Sequence, residues 1–259
     1  MDVAAAAGLS GRMGNYAGKK VVIVGGTSGF GFTTARLLAD GGARVLITGR
    51  DPDRLGAARE RLGTHVVAVR GDVGSPADVD ALAARAKAEF GTVDALFVNA
   101  GVTGNLPFER MTPEAYDELF AVNAKGPYFT VQRFAPMLAE GGGVVFTTSV
   151  ANVKGLPMSS VYAASKAALR SMTRSLAREL LDQKVRVNAV SPGPIDTGIL
   201  RRSLPADVAE RLEAEFIARN PMGRMGEPVE VARAVLFLAF DATYTTGAEL
   251  TVDGGVSQL

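Results

Sequence analysis

"KKVVIVGGTSGFGFTTARLLADGG", Lys19 to Gly42, is the stretch on which the fold turns. It opens with a short β-branched run ending in glycine, which predicts a buried strand around Lys20–Val24. It closes with a helical pattern stopped by Gly41 and Gly42. Between the two stands "GGTSGFG", with Gly25, Gly29 and Gly31 spaced G-x-x-x-G-x-G. Such glycines let a strand turn sharply, bring its backbone close to a pyrophosphate and seat a helix N-terminus against it. Glycine turns are common, so the motif alone says little. Its place between a strand and a helix near the chain start gives it meaning.

Outward from that unit the alternation continues. "ARVLITG" reads as strand, "PDRLGAARERLG" as helix, "HVVAVRGD" as strand. "SPADVDALAARAKAEFG" is a helix with Ser75 as cap, Pro76 first and acids in its first turn. "VDALFVNAG" follows as strand, then "TPEAYDELFAVNAKGPYFTVQRFAPMLAEGGG" as one long helix, straight or bent. "GVVFTTS" is strand, "VYAASKAALRSMTRSLARELLDQ" a long helix, and "VRVNAVSPG" and "AELTVDGG" the last strands. Strands apolar throughout are buried on both faces, as in parallel sheets. The pattern predicts a Rossmann-like α/β fold: one doubly wound parallel sheet of about seven strands, helices on both faces, single domain. The segment from Pro194 to Pro228 breaks the alternation with "LPADVAERLEAEFIARN". It follows a strand's carboxyl end, where such sheets bind ligands, and reads as a movable lid. Residues 1–18 read as a flexible extension before the domain of 19–259, and Met13 is an alternative start to Met1.

Composition narrows the chemistry. The formal net charge is +1, so no nucleic acid or other polyelectrolyte is implied. No cysteine means no disulfide framework and no thiolate metal site, and a lone histidine, His65, reads as structural. No metal site is expected. No apolar run approaches the ~20 residues of a membrane span, and no signal peptide is visible, which makes a cytoplasmic location the default. Acid–base work falls to Tyr, Lys, Asp or Glu.

The end of the second strand, "VLITGRDPDRL", bears on the cofactor. An acid there would bond ribose hydroxyls, and an arginine would accommodate a 2′-phosphate. This chain has Gly49 and then Arg50, which favours NADP(H). The counter-reading keeps NAD(H), with Asp51 bonding the ribose and Arg50 facing water.

With these pieces in order, the chain resembles the short-chain dehydrogenase/reductase family over Lys20 to Gly255. The family's glycine loop stands as "VGGTSGFG", with Val24 where threonine is usual. Its adenine-contacting acid matches Asp72 in "RGDV". Its "NNAG" matches Asn99, Ala100 and Gly101, with Val98 for the first asparagine. The helix asparagine matches Asn123 in "VNAKG", the catalytic serine Ser149 in "TTSVA", the "YxxxK" pair Tyr162 and Lys166, and the "PG" turn Pro192–Gly193. The resemblance implies hydride transfer between a nicotinamide cofactor and a carbonyl or alcohol carbon. It further implies cofactor contacts from Thr27, Ser28, Phe30, Val73, Ile195 and Thr197, and a homotetramer built on the helices around Glu114–Met137 and Tyr162–Leu181 and on the last strand.

The pair has its own physical logic. A tyrosine with pKa near 10 is a poor acid at neutral pH, and a nearby ammonium favours phenolate. A shift of two to three units needs about 3–4 kcal/mol. A unit charge at about 4 Å supplies about 4 kcal/mol at an effective dielectric of 20. Lys166, one helical turn from Tyr162, is therefore expected to lower the phenol's pKa. Ser149 would orient the substrate oxygen, and Asn123 would hold a helix bend and a water leading to Lys166. Ala151, Asn152, Leu156, Met158, Gly193, Pro194, Ile195 and the lid suit a medium-sized hydrophobic carbonyl compound or alcohol. Arg201 and Arg202 read either as receivers of an anionic, carrier-bound acyl group or as a solvated lid face. Rival readings are an NAD-dependent alcohol dehydrogenase and a non-catalytic dinucleotide sensor, with a dehydratase or epimerase behind them.

Overall fold

The computed structural model describes residues 15–259. Seven parallel strands form one sheet in the order β3-β2-β1-β4-β5-β6-β7. They are β1 (Lys20–Val24), β2 (Arg44–Gly49), β3 (Val67–Arg70), β4 (Val93–Val98), β5 (Leu138–Thr147), β6 (Arg186–Pro192) and β7 (Glu249–Val252). The helices are α1 (Gly29–Asp40), α2 (Pro52–Leu62), α3 (Pro76–Phe90), α4 (Pro113–Phe120), α5 (Gly126–Phe134), α6 (Ser160–Glu179), α7 (Ile199–Ser203), α8 (Ala206–Ala218) and α9 (Pro228–Leu236).

The two-residue period of the strands sorts their side chains between two cores. Val22, Leu96 and Phe146 face α3, α5 and α6, where Leu82, Phe134 and Leu169 meet them. Ile23, Ile47 and Phe97 face α1, α2 and α9, where Leu38, Leu55 and Val235 meet them. β1 pairs with both β2 and β4, so the strand order reverses beside β1. The crevice outside the strand ends at that reversal is where such sheets take ligands.

Three elements depart from the sequence reading. The long helix over Thr112–Gly143 is instead α4, a π-helical turn at Ala121–Lys125, α5 and a short 3₁₀ turn at Ala135–Met137. Pro136 denies the helix a donor, and Leu138 already pairs with Val93 as the start of β5. Helix α9, unread from the sequence, covers α1's face of the sheet with Val231, Val235 and Leu236. Lastly, the end of the expected extension is docked: Tyr16 N–H donates to Gly41 O at 2.9 Å, and its ring lies 5.2 Å from that of Phe240. The remainder of that extension, with Met13, lies outside the described residues.

Candidate active site

The glycine loop is shaped by contacts that exclude side chains. Gly25 has φ +86°, and a Cβ there would come within 2.7 Å of Ala100 N. A Cβ on Gly31 would collide with the Gly25 carbonyl and stand 2.6 Å from Asn99 Nδ2. Asn99 fixes the loop, donating from Nδ2 to Gly25 O at 2.7 Å and accepting from Thr147 Oγ1 at 3.1 Å. Helix α1 begins with no side-chain cap from Ser28 and no acid in its first turn. Its first N–H groups therefore keep their positive end directed out of the strand edge, a fit for a dinucleotide's pyrophosphate. Gly25, Thr27, Ser28, Gly29, Phe30 and Gly31, the expected cofactor contacts, form this loop and the start of α1.

At the end of β2, a side chain on Gly49 would collide with Thr27's methyl group. Asp51 caps α2, accepting from Asp53 N and Arg54 N at 3.0 Å each. Arg50 is exposed, with Nη1 3.6 Å from Asp72 Oδ2. Asp72 also accepts from Gly74 N at 2.8 Å, while Asp72 N donates to Asp78 Oδ2 at 2.7 Å. Val73 is buried beside it.

Asn123 sits, fully buried, in the π-helical turn. Its Nδ2 donates to Val102 O at 2.9 Å and Ser165 Oγ at 3.1 Å, and its Oδ1 accepts from Val102 N at 2.9 Å. The expected bend at Asn123 is thus an extra residue in a helical turn, held by an amide fully engaged with the strand loop. Ser165 Oγ donates in turn to Tyr162 O at 2.7 Å. Ser165 was not singled out by the sequence, because a serine in a helix carries no signal of its own.

Ser149 follows β5 and caps a 3₁₀ turn at Val150–Asn152, its Oγ accepting from Ala151 N at 3.2 Å. That hydroxyl lies near enough to the Tyr162 phenol to influence its ionisation. Lys166 is buried, and its Nζ donates to Thr147 O at 2.8 Å. Burial pushes the Lys166 ammonium down to about 8. The Tyr162 phenol moves against expectation. Burial raises its pKa above the usual 10, and the opposing influence is the Ser149 hydroxyl, not the lysine's charge. The expected lowering fails because desolvating a phenolate costs more than the neighbours return.

Past β6, Gly193 N donates to Val252 O at 3.0 Å, and a Cβ on Gly29 would lie 3.2 Å from Thr197's methyl. The root of the α7–α8 segment therefore rests on the glycine loop, with Pro192, Pro194 and Ile195 half-buried or buried behind it. Ala151 is buried, while Leu156 and Met158 are exposed, Met158 at φ +62°. Asn152, expected as a substrate contact, is half-buried and already hydrogen-bonded within the chain. Its amide is spent on Ser149 O, Glu249 and Arg170. Arg201 pairs with Asp196 at 3.3 Å and Glu213 at 2.8 Å, and Arg202 donates to Thr197 O at 3.0 Å. Among the described residues, no cluster of side chains could hold a metal ion and no helix is long and apolar enough to cross a membrane.

Known proteins resemble the chain over nearly its whole length. The family model for enoyl-(acyl carrier protein) reductases matches residues 24–257. An oxidoreductase of Sarocladium schorii is 40% identical over 245 residues, covering 93% of this chain and 97% of that protein. A 3alpha-hydroxysteroid dehydrogenase of Mediterraneibacter gnavus is 36% identical over 244 residues, 91% of this chain and 96% of its own. A solved structure of a short chain dehydrogenase/reductase family protein superposes with TM-score 0.84 at 38% identity, covering 95% of this chain and all of its own. The family match over residues 24–257 and the identities over more than nine-tenths of the chain agree: the chain belongs to the short-chain dehydrogenase/reductase family of oxidoreductases.

Proposed function

We propose that the chain is an NADP(H)-dependent ketone reductase acting on a medium-sized apolar carbonyl compound. The observation that carries this reading is the convergence of Ser149, Tyr162 and Lys166 at the carboxyl end of β5, beside the glycine cradle. When bound, the dinucleotide supplies the hydride. The chain's own part is to hold and deliver a proton. Reduction builds charge on the carbonyl oxygen, and Ser149 Oγ is placed to hydrogen-bond that oxygen. Tyr162, raised in pKa, stays protonated at neutral pH. An alkoxide is far more basic than a phenolate, so transfer from the buried phenol runs downhill. Reduction is the working direction that goes with NADP(H). Lys166 Nζ, on Thr147 O and beside Gly101, would meet the nicotinamide ribose with its ammonium.

The choice of NADP(H) rests on three supports at β2. The position of a ribose-binding acid is closed by Thr27's methyl against Gly49. Asp51 is committed to capping α2. Arg50 is free enough of Asp72, at 3.6 Å, to turn its guanidinium to a 2′-phosphate. The apolar substrate is supported by Leu156, Met158 and Ile199, each exposed on the loop before Tyr162 or at the start of α7. The name of the 3alpha-hydroxysteroid dehydrogenase points the same way. Arg201 and Arg202, tied within the lid, weigh against capture of an anionic carrier-bound acyl group. A homotetramer is part of the same proposal, supported by the exposed Tyr116, Leu181 and Leu250 on the elements expected to meet symmetry mates.

The test is turnover of a ketone panel, steroid ketones included, followed by loss of the reduced nicotinamide's absorbance with NADPH and NADH in parallel. NADPH is expected to be the faster, and Tyr162→Phe to lower kcat by about 100- to 10,000-fold. Arg50→Ser is expected to raise KM for NADPH about tenfold, the low end for a charged hydrogen bond since the guanidinium is half exposed, and to leave NADH unchanged. Faster NADH use would sink the cofactor assignment alone. Full activity in Tyr162→Phe would sink the mechanism.

A further inference from the structure

A partly buried carboxylate outside the proposed chemistry sits against the turn that carries Ser149. Glu249 opens β7 with 13% of its side chain exposed. Its Oε1 accepts from Thr148 Oγ1 at 2.5 Å and from Asn152 Nδ2 at 2.8 Å. Its Oε2 lies 3.0 Å from Arg170 Nε, an ion pair off the line a hydrogen bond needs. Asn152 Nδ2 also donates to Ser149 O at 2.7 Å, and Arg170 Nη1 donates to Asn152 Oδ1 at 3.3 Å. One carboxylate thus grips the residue before Ser149 and the last residue of the turn that Ser149 caps. Arg170 stands one helical turn beyond Lys166 and two beyond Tyr162, on the same side of α6.

Stability is a weak reason for such a pair, since Arg170 keeps 34% of its side chain exposed, where ion pairs add little, and desolvation of Glu249 offsets part of the attraction. Fixing one geometry is the use that remains. We infer that Glu249, with Arg170, is a positioning residue that holds Ser149 toward Tyr162 through Thr148 and Asn152, without touching substrate. The inference rests on the roles proposed above for Ser149 and Tyr162.

The chain has five tyrosines, so tyrosine isotope-labelled at Cζ gives few resonances, and Tyr162→Phe assigns the one of interest. Ser149→Ala is expected to move the Tyr162 resonance by removing the hydroxyl that acts on the phenol. Glu249→Gln should move it in the same direction, and should move it no further in the Ser149→Ala background. With the ketone turned over fastest in the panel, kcat for Glu249→Gln is expected to fall about ten- to a hundredfold with KM held, a loss that disappears in Ser149→Ala. A Tyr162 resonance that moves in Ser149→Ala but stays in place in Glu249→Gln would overturn the inference. So would a kcat loss repeated in full when Ser149 is already alanine. If Ser149→Ala itself moves nothing, the Ser149–Tyr162 reading fails first, and visibly so. Should Glu249→Gln lower folding cooperativity, Asn152→Ala keeps the charge pair and is judged by the same two outcomes.

Discussion

Helices α1 and α2 both start just past the end of a strand, yet their first turns are built in opposite ways. α2 is closed by its own sequence: Asp51 takes two backbone N–H groups, Pro52 occupies the first position, and Asp53 adds charge against the helix dipole. Ser75 with Pro76 does the same for α3, and Thr112 with Pro113 for α4. α1 has none of this. Ser28 makes no capping bond, no acid follows, and three glycines bring the backbone to the helix start. A chain that caps α2, α3 and α4 in this way had the residues to cap α1 as well. What it leaves open is a set of donors with positive potential, which a pyrophosphate would satisfy in place of a side chain.

Gly31→Ala is the strongest way to break this contrast. The added methyl meets the Gly25 carbonyl and Asn99 Nδ2, both tied to β4 and β5, so the loop must move rather than the methyl. Overpacking of this kind costs about 1–3 kcal/mol. The larger effect falls on the cofactor: at 100 times Kd a ligand stabilises the fold by about 2.7 kcal/mol, and the variant should lose nearly all of that gain. Thermal melts with and without NADPH give both numbers. A variant that keeps the full gain would mean the loop is not the dinucleotide site.

How much of this could be read in the sequence follows from the same contrast. Where caps and glycines punctuate an alternating apolar pattern, as from Lys20 to Val98, strands and helices fall where expected. The π-helical turn at Asn123 was legible only as a bend, because one extra residue per turn leaves no mark in a helical period. α9 did carry its signal, with Pro228 first and Glu230 accepting from Glu227 N at 2.7 Å, but the proline read as the lid's end. The three residues of the proposed chemistry, Ser149, Tyr162 and Lys166, were legible in the sequence from the family's motifs. Their environment was not. Spacing puts Lys166 one turn from Tyr162, but only the fold shows that the lysine reaches for Thr147 O and that burial governs the phenol. Glu249 sits nearly a hundred residues from the turn it holds, and no local pattern connects them.

Asp51→Ala sharpens the contrast from the other side. Two backbone donors lose their acceptor, and the cost should be about 1 kcal/mol in a denaturant or thermal melt. Because Asp51 is read as a cap rather than a ribose contact, the loss should be the same with NADPH or NADH present as without. A variant whose NADH affinity falls while its unliganded stability holds would restore Asp51 as the ribose-binding acid.

Ser28→Ala is the smallest expected effect and the finest discriminator. At an ordinary helix start, serine to alanine costs about 0.5–2 kcal/mol, because a backbone donor is orphaned. Here Ser28 caps nothing, so the unliganded protein should change by no more than about 0.5 kcal/mol, as for a surface substitution. With saturating NADPH the variant should gain less stability than the wild type, since a hydroxyl at the cradle's edge is lost to the phosphate. Asp51→Ala and Ser28→Ala thus predict opposite patterns at two helix starts of one sheet, the first felt without ligand and the second only with it. A full capping penalty in unliganded Ser28→Ala would mean that α1 closes on itself like its neighbours, and the open helix start would no longer support the cofactor site.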